Sequence, residues 1–173
     1  MLFLFVLVAS YAALWPFTRT ALTVRERSRI ALALGMAVAG VSHLANPLPF
    51  VQHLPTWVPE RYLIVFVSGL IEIAFGAALL APARVRPLVG AGLAAYFVAV
   101  FPGNLYVALA GVDVVGQPGG IYPWLRLPLQ AVFIWLALWS TGATSRSTVV
   151  RALSGLGTAI TGRANRPAIG GNR

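Results

Sequence analysis

Apolar residues in this chain run in long blocks separated by short polar stretches, with neither the two-residue period of a half-buried strand nor the narrow apolar stripe of a soluble helix. The blocks cover residues 2 to 17, about 30 to 46, 61 to 81, about 88 to 110 and about 122 to 141. Read as helices, most are long enough to cross a hydrocarbon core about 30 Å thick; the first is at the short end for a span. The pattern predicts an all-α, membrane-embedded bundle. Its parts are an N-terminal helix within residues 1 to 18, a four-helix domain over 30 to 141, and an Arg/Gly-rich tail over 142 to 173. That tail is expected to be flexible and to lack a fixed fold, the alternative being a short interfacial helix with Val149, Val150, Leu153, Leu156 and Ile160 along one side. The block at 2 to 17 has no charge before it and arginines after it. That is the reverse of a secretory signal, so it is read as a retained first helix.

Between the second and third blocks, residues 46 to 60 hold Pro47, Pro49, Pro55 and Pro59, which argue against continuous helix. The sequence FPGN at 101 to 104 predicts a break near the end of the fourth span.

One position within these blocks needs a reason. Glu72 lies roughly 16 Å along its segment, near mid-bilayer, where an ionisable side chain costs several kcal/mol unless it is neutralised, paired or reached by water. In the later blocks the embedded arginine is Arg126, so the two are expected to pair within one polar pocket.

Composition sharpens the class. Of 173 residues 58% are hydrophobic and 10% charged, with a mean hydropathy of +0.81, against about 25% charged in an ordinary soluble domain. There is no cysteine, which removes thiol–disulfide chemistry and thiolate metal sites from the chain itself. No metal cluster, nucleotide loop or nucleophile–base set is readable, so no autonomous enzyme is named. The net charge of +9 comes entirely from arginine. These arginines are spread through short loops with little aromatic interleaving, which argues against nucleic acid as a partner and for the lipid bilayer.

The distribution of that charge predicts an orientation. With five crossings and the N-terminus outside, Arg19, Arg25, Arg27, Arg29, Arg84, Arg86 and the tail arginines are cytoplasmic, and only Arg61 and Arg126 fall on the other side. This is the expected arrangement of a multi-pass protein of a bacterial plasma membrane. It places His43, Asn46 and Asn104 near outward-pointing helix ends, while Ser68, Glu72, Arg126 and Gln130 enter from the same outer side. Ser68 with Glu72, and Arg126 with Gln130, are spaced i,i+4 and share a helix face. The candidate pocket is therefore His43, Ser68, Glu72, Asn104, Arg126 and Gln130, with Trp57, Trp124, Tyr106 and Tyr122 at its mouth.

The segments VSHLANPLPFVQHLPTWVP, SGLIEIAFGAALL, VFPGNLYVAL and RLPLQAVFIWLALW, in that order over residues 30 to 140, resemble the DoxX-like family of small bacterial membrane proteins. The matching positions are His43, Pro47, Ser68, Gly69, Glu72, Pro102, Asn104, Arg126, Pro128 and Gln130. The resemblance implies a four-helix bundle, to which this chain adds the segment at 2 to 17. The family takes its name from a small subunit of a thiosulfate:quinone oxidoreductase, and some relatives are linked to membrane redox complexes or to assembly of other membrane proteins. It therefore implies a quinone-like cofactor and other membrane-protein subunits as partners.

Physically, Arg126 offers a two-pronged donor to carboxylate, quinone or phosphate oxygens. Glu72 offers charge or a proton, and His43 a group near the outer aqueous phase for proton exchange. Pro102 and Pro128 would free backbone carbonyls toward a ligand or water. Each also has a plain structural reading. A Glu–Arg pair fixes helix register, and His43 ends a helix. His53 faces solvent in its loop, with bis-histidine haem ligation a remote reading. The prolines kink their helices, the tryptophans anchor at the interface, and Gly35, Gly69 and Gly76 are helix contacts. Three roles stay open: a redox-associated subunit, a non-catalytic accessory or assembly subunit, and, with less support, a small transporter.

Overall fold

The computed structural model describes residues 2–17 and 22–144. Most of the tail, expected to lack a fixed fold, with its alternative interfacial helix at 149 to 160 and its arginines, lies outside the described residues, as does Arg19. All regular structure among the described residues is helical: α1 (Leu2–Phe17), α2 (Val24–Ala45), α3 (Leu48–Val51), α4 (Arg61–Ala78), α5 (Arg86–Ala110) and α6 (Tyr122–Thr141). Three of these, α2, α4 and α5, are long and apolar enough to cross a membrane. By the same measure α1 is too short at 16 residues, and in the 20-residue α6 Arg126 and Gln130 lower the hydropathy.

Two boundaries differ from the sequence expectation. The second helix starts at Val24 rather than near residue 30, because Thr23 and Glu26 close a capping box. The Glu26 amide donates to Thr23 Oγ1 at 3.2 Å, and the Thr23 amide donates to Glu26 Oε2 at 2.9 Å. Arg25, Arg27 and Arg29 therefore ride on the first turns of a helix instead of in a loop. The fifth helix is not broken at FPGN: Pro102 sits inside continuous helix, as does Pro128 in α6. A proline removes one donor but leaves the turns on either side intact, and spans tolerate that where neighbours shield the freed carbonyl.

α2 packs against α1, α4 and α6, and α5 packs closely against α6. α4 and α5 are joined by a short turn yet touch sparingly. They meet through Phe75 with Tyr96, 5.8 Å between ring centroids, and Glu72 with Tyr96, toward that turn. The core of Leu32, Ala33, Met36, Leu79, Leu93, Phe97 and Ala137 fills the same half of the bundle. Arginines secure that end: Arg29 Nη1 donates to Leu79 O at 2.5 Å and Arg86 Nε to Ala81 O at 2.8 Å, so each satisfies a carbonyl left open after α4. Arg27 lies over the Trp15 ring at 4.9 Å and the Tyr11 ring at 6.0 Å, fastening α1 to α2.

On α4 the buried positions Val65, Gly69, Glu72 and Gly76 form a single stripe, while Leu63, Phe66, Val67 and Leu70 point outward. In water that outward face would be an aggregation surface; in lipid it is the expected exterior. The stripe is held tight by small residues. A Cβ on Gly40 would come within 2.5 Å of Gly69 O and 2.7 Å of Ile73 Cγ1, and a Cβ on Gly69 within 2.8 Å of His43 Cβ. The α2–α4 contact that brings His43 to Ser68 and Glu72 thus depends on missing side chains. Gly40→Val is expected to destabilise the protein by about 1–3 kcal/mol through overpacking. Gly92→Ala, whose Cβ meets only Phe75 at 3.4 Å, should be neutral or stabilising. Unfolding in detergent, followed by circular dichroism, checks both; equal loss in the two variants would contradict the close approach.

Candidate functional site

Where α4 and α5 diverge, the bundle encloses a cavity of about 510 Å³. All six sequence-derived candidates line it: His43 from α2, Ser68 and Glu72 from α4, Asn104 from α5, and Arg126 and Gln130 from α6. Met36, Phe97 and Phe133, shared with or packed on the core, form its apolar floor. The loop after α3 supplies the opposite end, where Trp57 is 82% exposed. Of the four aromatic residues expected at the mouth, Trp57 and Tyr122 line the cavity, and Trp124 and Tyr106 are not among its walls. Ile64 on α4 and Ala99 and Pro102 on α5 line it and are also exposed at the outer surface, so the cavity has a side opening between these helices.

The six residues divide into three groups. At the deep group, His43 Nδ1 and Ser68 Oγ are 2.9 Å apart, and Tyr96 donates its hydroxyl to Glu72 Oε1 at 3.0 Å. In the middle, Asn104 Nδ2 donates to Gln130 Oε1 at 3.3 Å while Gln130 Nε2 donates to Phe97 O at 2.6 Å. At the outer group Arg126 Nη1 donates to Gln117 Oε1 at 2.8 Å and to His53 Nε2 at 2.5 Å, and its guanidinium lies 5.8 Å from the Tyr122 ring centre.

The expected Glu72–Arg126 pair does not form. Both helices enter from the same end of the bundle, but Glu72 lies eleven residues past the start of α4 and Arg126 four past the start of α6. The two are therefore offset by roughly 10 Å in depth at 1.5 Å per residue. The ion-pair contact of Glu72 is instead with His43, Nε2 to Oε2 at 3.7 Å, and among the described residues no carboxylate pairs with Arg126.

Nor does His53 face solvent, as its loop position suggests. It is 9% exposed, with Nδ1 2.7 Å from Pro49 O. Because a guanidinium only donates, Nε2 must accept from Arg126 and the ring proton sits on Nδ1, directed at Pro49 O. Burial, and secondarily the Arg126 charge, push His53 from its ordinary value near 6.5 down to about 4. Tyr96 and Gln117 were not among the sequence candidates. A hydroxyl-bearing ring in the middle of an apolar span was the available signal for Tyr96. Gln117 carries none, since only the folding of the 111–121 loop over the cavity brings it to Arg126. That loop is tied down by the Val115 amide, which donates to Gln52 Oε1 at 2.8 Å.

The described residues form a helical bundle with apolar outer faces, a polar-lined internal cavity and three helices long and apolar enough to cross a membrane, features that suit the membrane-protein class. Residues 32–141 match the family described as Domain of unknown function (DUF8561), and the chain belongs to that family. The match starts within α2 and runs to the end of α6, so it covers the cavity-lining residues other than Leu4 of α1. No curated protein matches the chain, and no solved structure does.

The His53 geometry carries a pH dependence. Between pH 6.5 and about 4 the unfolded chain binds a proton that folded His53 rejects, so stability present above pH 6.5 is lost as pH falls through that window. The loss reaches about 3 kcal/mol at its fullest, given roughly 1.4 kcal/mol per pH unit. His53→Asn, which keeps an acceptor for Arg126, should flatten that portion of the curve. Thermal unfolding in detergent at pH 7, 5.5 and 4 measures it, and identical pH profiles for the two proteins would refute the assignment.

Proposed function

We propose that this protein is a DoxX-like membrane subunit associated with redox chemistry, whose cavity holds a quinone-like or other amphipathic small molecule. The observation that carries this reading is the cavity of about 510 Å³, apolar at its floor and polar at three levels, with a side opening onto the surface that lipid would cover. A site of this volume suits a drug-sized ring with a short tail. Arg126, half-buried and without a carboxylate partner among the described residues, is suited to an oxygen-rich head group. The order of the DoxX-like motifs and the α2, α4, α5 and α6 bundle support the same family reading, with α1 as an added helix.

In this reading all five long helices cross a bacterial plasma membrane, with the N-terminus outside and the C-terminus cytoplasmic. The support is the gathering of Arg25, Arg27, Arg29, Arg84 and Arg86 at one end of the bundle, opposite Arg61 and Arg126. The cavity then lies in the outer leaflet. A second reading, a non-catalytic accessory or assembly subunit, draws on the mutual bonds of the polar groups, which would also lock helix register.

Native mass spectrometry of the full chain, extracted with its lipids, tests the first reading. A bound quinone or similar amphiphile, lost in Arg126→Leu, is the expected result. Recovery of the protein with partner subunits and an empty cavity would favour the second. A reporter fused after Arg173 should read as cytoplasmic; a periplasmic signal would overturn the orientation.

A further inference from the structure

Glu72 is only 9% exposed, yet its Oε2 has no hydrogen-bond partner among the described residues. His43 Nε2 lies 3.7 Å away, beyond hydrogen-bonding length. The remaining polar atoms of both side chains are committed. Glu72 Oε1 accepts from Tyr96. Ser68 donates its hydroxyl proton to Val65 O at 2.8 Å, so toward His43 its oxygen accepts and His43 Nδ1–H is the donor. A neutral His43 therefore turns a bare lone pair at Nε2 toward an oxygen that itself lacks a donor. Both residues line the cavity, and beyond the already bonded Ser68 and Tyr96 hydroxyls the walls around them, Met36, Phe97 and Phe133 among them, are apolar. An apolar enclosure makes two unsatisfied polar atoms costly to leave facing one another.

We propose that the Glu72–His43 pair is a subsite for the hydroxyl group of a lipid-soluble alcohol or phenol that enters between α4 and α5. With one proton on the pair, on the carboxyl or on the imidazole, a hydroxyl donates to the bare atom and accepts from the protonated one. A carbonyl or ether oxygen only accepts and leaves one of them unsatisfied. Oε2 is sealed off as it stands, so the pair must part to admit the group. An oxygen about 2.8 Å from both atoms would subtend roughly 80°, and separating them by about 1 Å gives the tetrahedral angle. Exposed Ile64, Ala99 and Pro102 at the side opening make the route apolar, so the source is the bilayer rather than water. The inference rests on the reading of the cavity as an amphiphile site and adds which chemical group goes deepest: of a quinone-like pair, the hydroquinone fits and the quinone does not.

The test uses the full chain in lipid nanodiscs, titrated by calorimetry with a short-chain alkyl hydroquinone, its dimethyl ether and, under anaerobic conditions, the matching quinone. The hydroquinone is expected to bind at least about ten-fold more tightly than either of the others, the size of one buried unsatisfied polar group. His43→Leu and Glu72→Leu, separately, should reduce the preference to below about two-fold. Equal affinity for all three ligands in the unaltered protein overturns the hydroxyl subsite and leaves the amphiphile site standing; failure of all three to bind overturns both. Infrared difference spectroscopy keeps the idea testable if a variant does not fold. The chain has only four acidic side chains, and Glu72→Gln identifies the band of Glu72. That band should move on adding hydroquinone and stay still with the ether; a band unmoved by hydroquinone refutes the contact.

Discussion

A carboxylate placed in the middle of an apolar helix bundle sets the terms for everything around it. Glu72 is reached by the Tyr96 hydroxyl from α5 and faced by His43 from α2, so three helices must keep their register for one side chain to be tolerated. That register is set by backbone proximity, with Gly40 against Gly69 and Gly76 against Ala33 O, where an added Cβ would collide with the neighbouring helix. Hydrophobic burial has little force between helices surrounded by lipid, and close packing with internal hydrogen bonding takes its place. The small residues and the polar cluster are thus two halves of one device, because the glycines allow the approach that the polar groups require.

The cavity follows from the same arrangement. α4 is drawn to α2 by its glycine stripe and α5 is packed on α6, so α4 and α5 part company beyond Tyr96. Space opens where polar side chains project from four helices, and it opens sideways. Its two ends differ chemically. The deep end presents Oε2 of Glu72 beside Nε2 of His43, and the outer end presents the donor head of Arg126, held by Gln117 and a neutral His53. Both ends suit a molecule with an apolar body and oxygen functions, and the roughly 10 Å between their levels keeps the two polar ends from pairing with each other.

Much of this was legible from residues alone. Runs of apolar residues gave the helices, and the i,i+4 spacing of Ser68 with Glu72 and of Arg126 with Gln130 placed each pair on one face; all six pocket candidates do line one cavity. The Thr23–Glu26 capping box was also readable as T-V-R-E, and reading it would have begun α2 at Val24. Proline misled at Pro102, since local propensity weighs a lost hydrogen bond more heavily than a long span flanked by packed neighbours does.

Pairings were another matter. Opposite charge suggested Glu72 with Arg126, and a proline-rich loop suggested an exposed His53; both inferences lacked the relative depth of the helices and the path of the loops. The sequence by itself determined the helical, lipid-facing character and which faces are polar, because these depend on period and composition along a single helix. Only the tertiary structure decided that Glu72 meets Tyr96 and His43 while Arg126 meets His53 and Gln117. Those contacts are set by how far each helix slides along its neighbours and by loops folding back on the bundle, and no spacing within one segment encodes a distance between two.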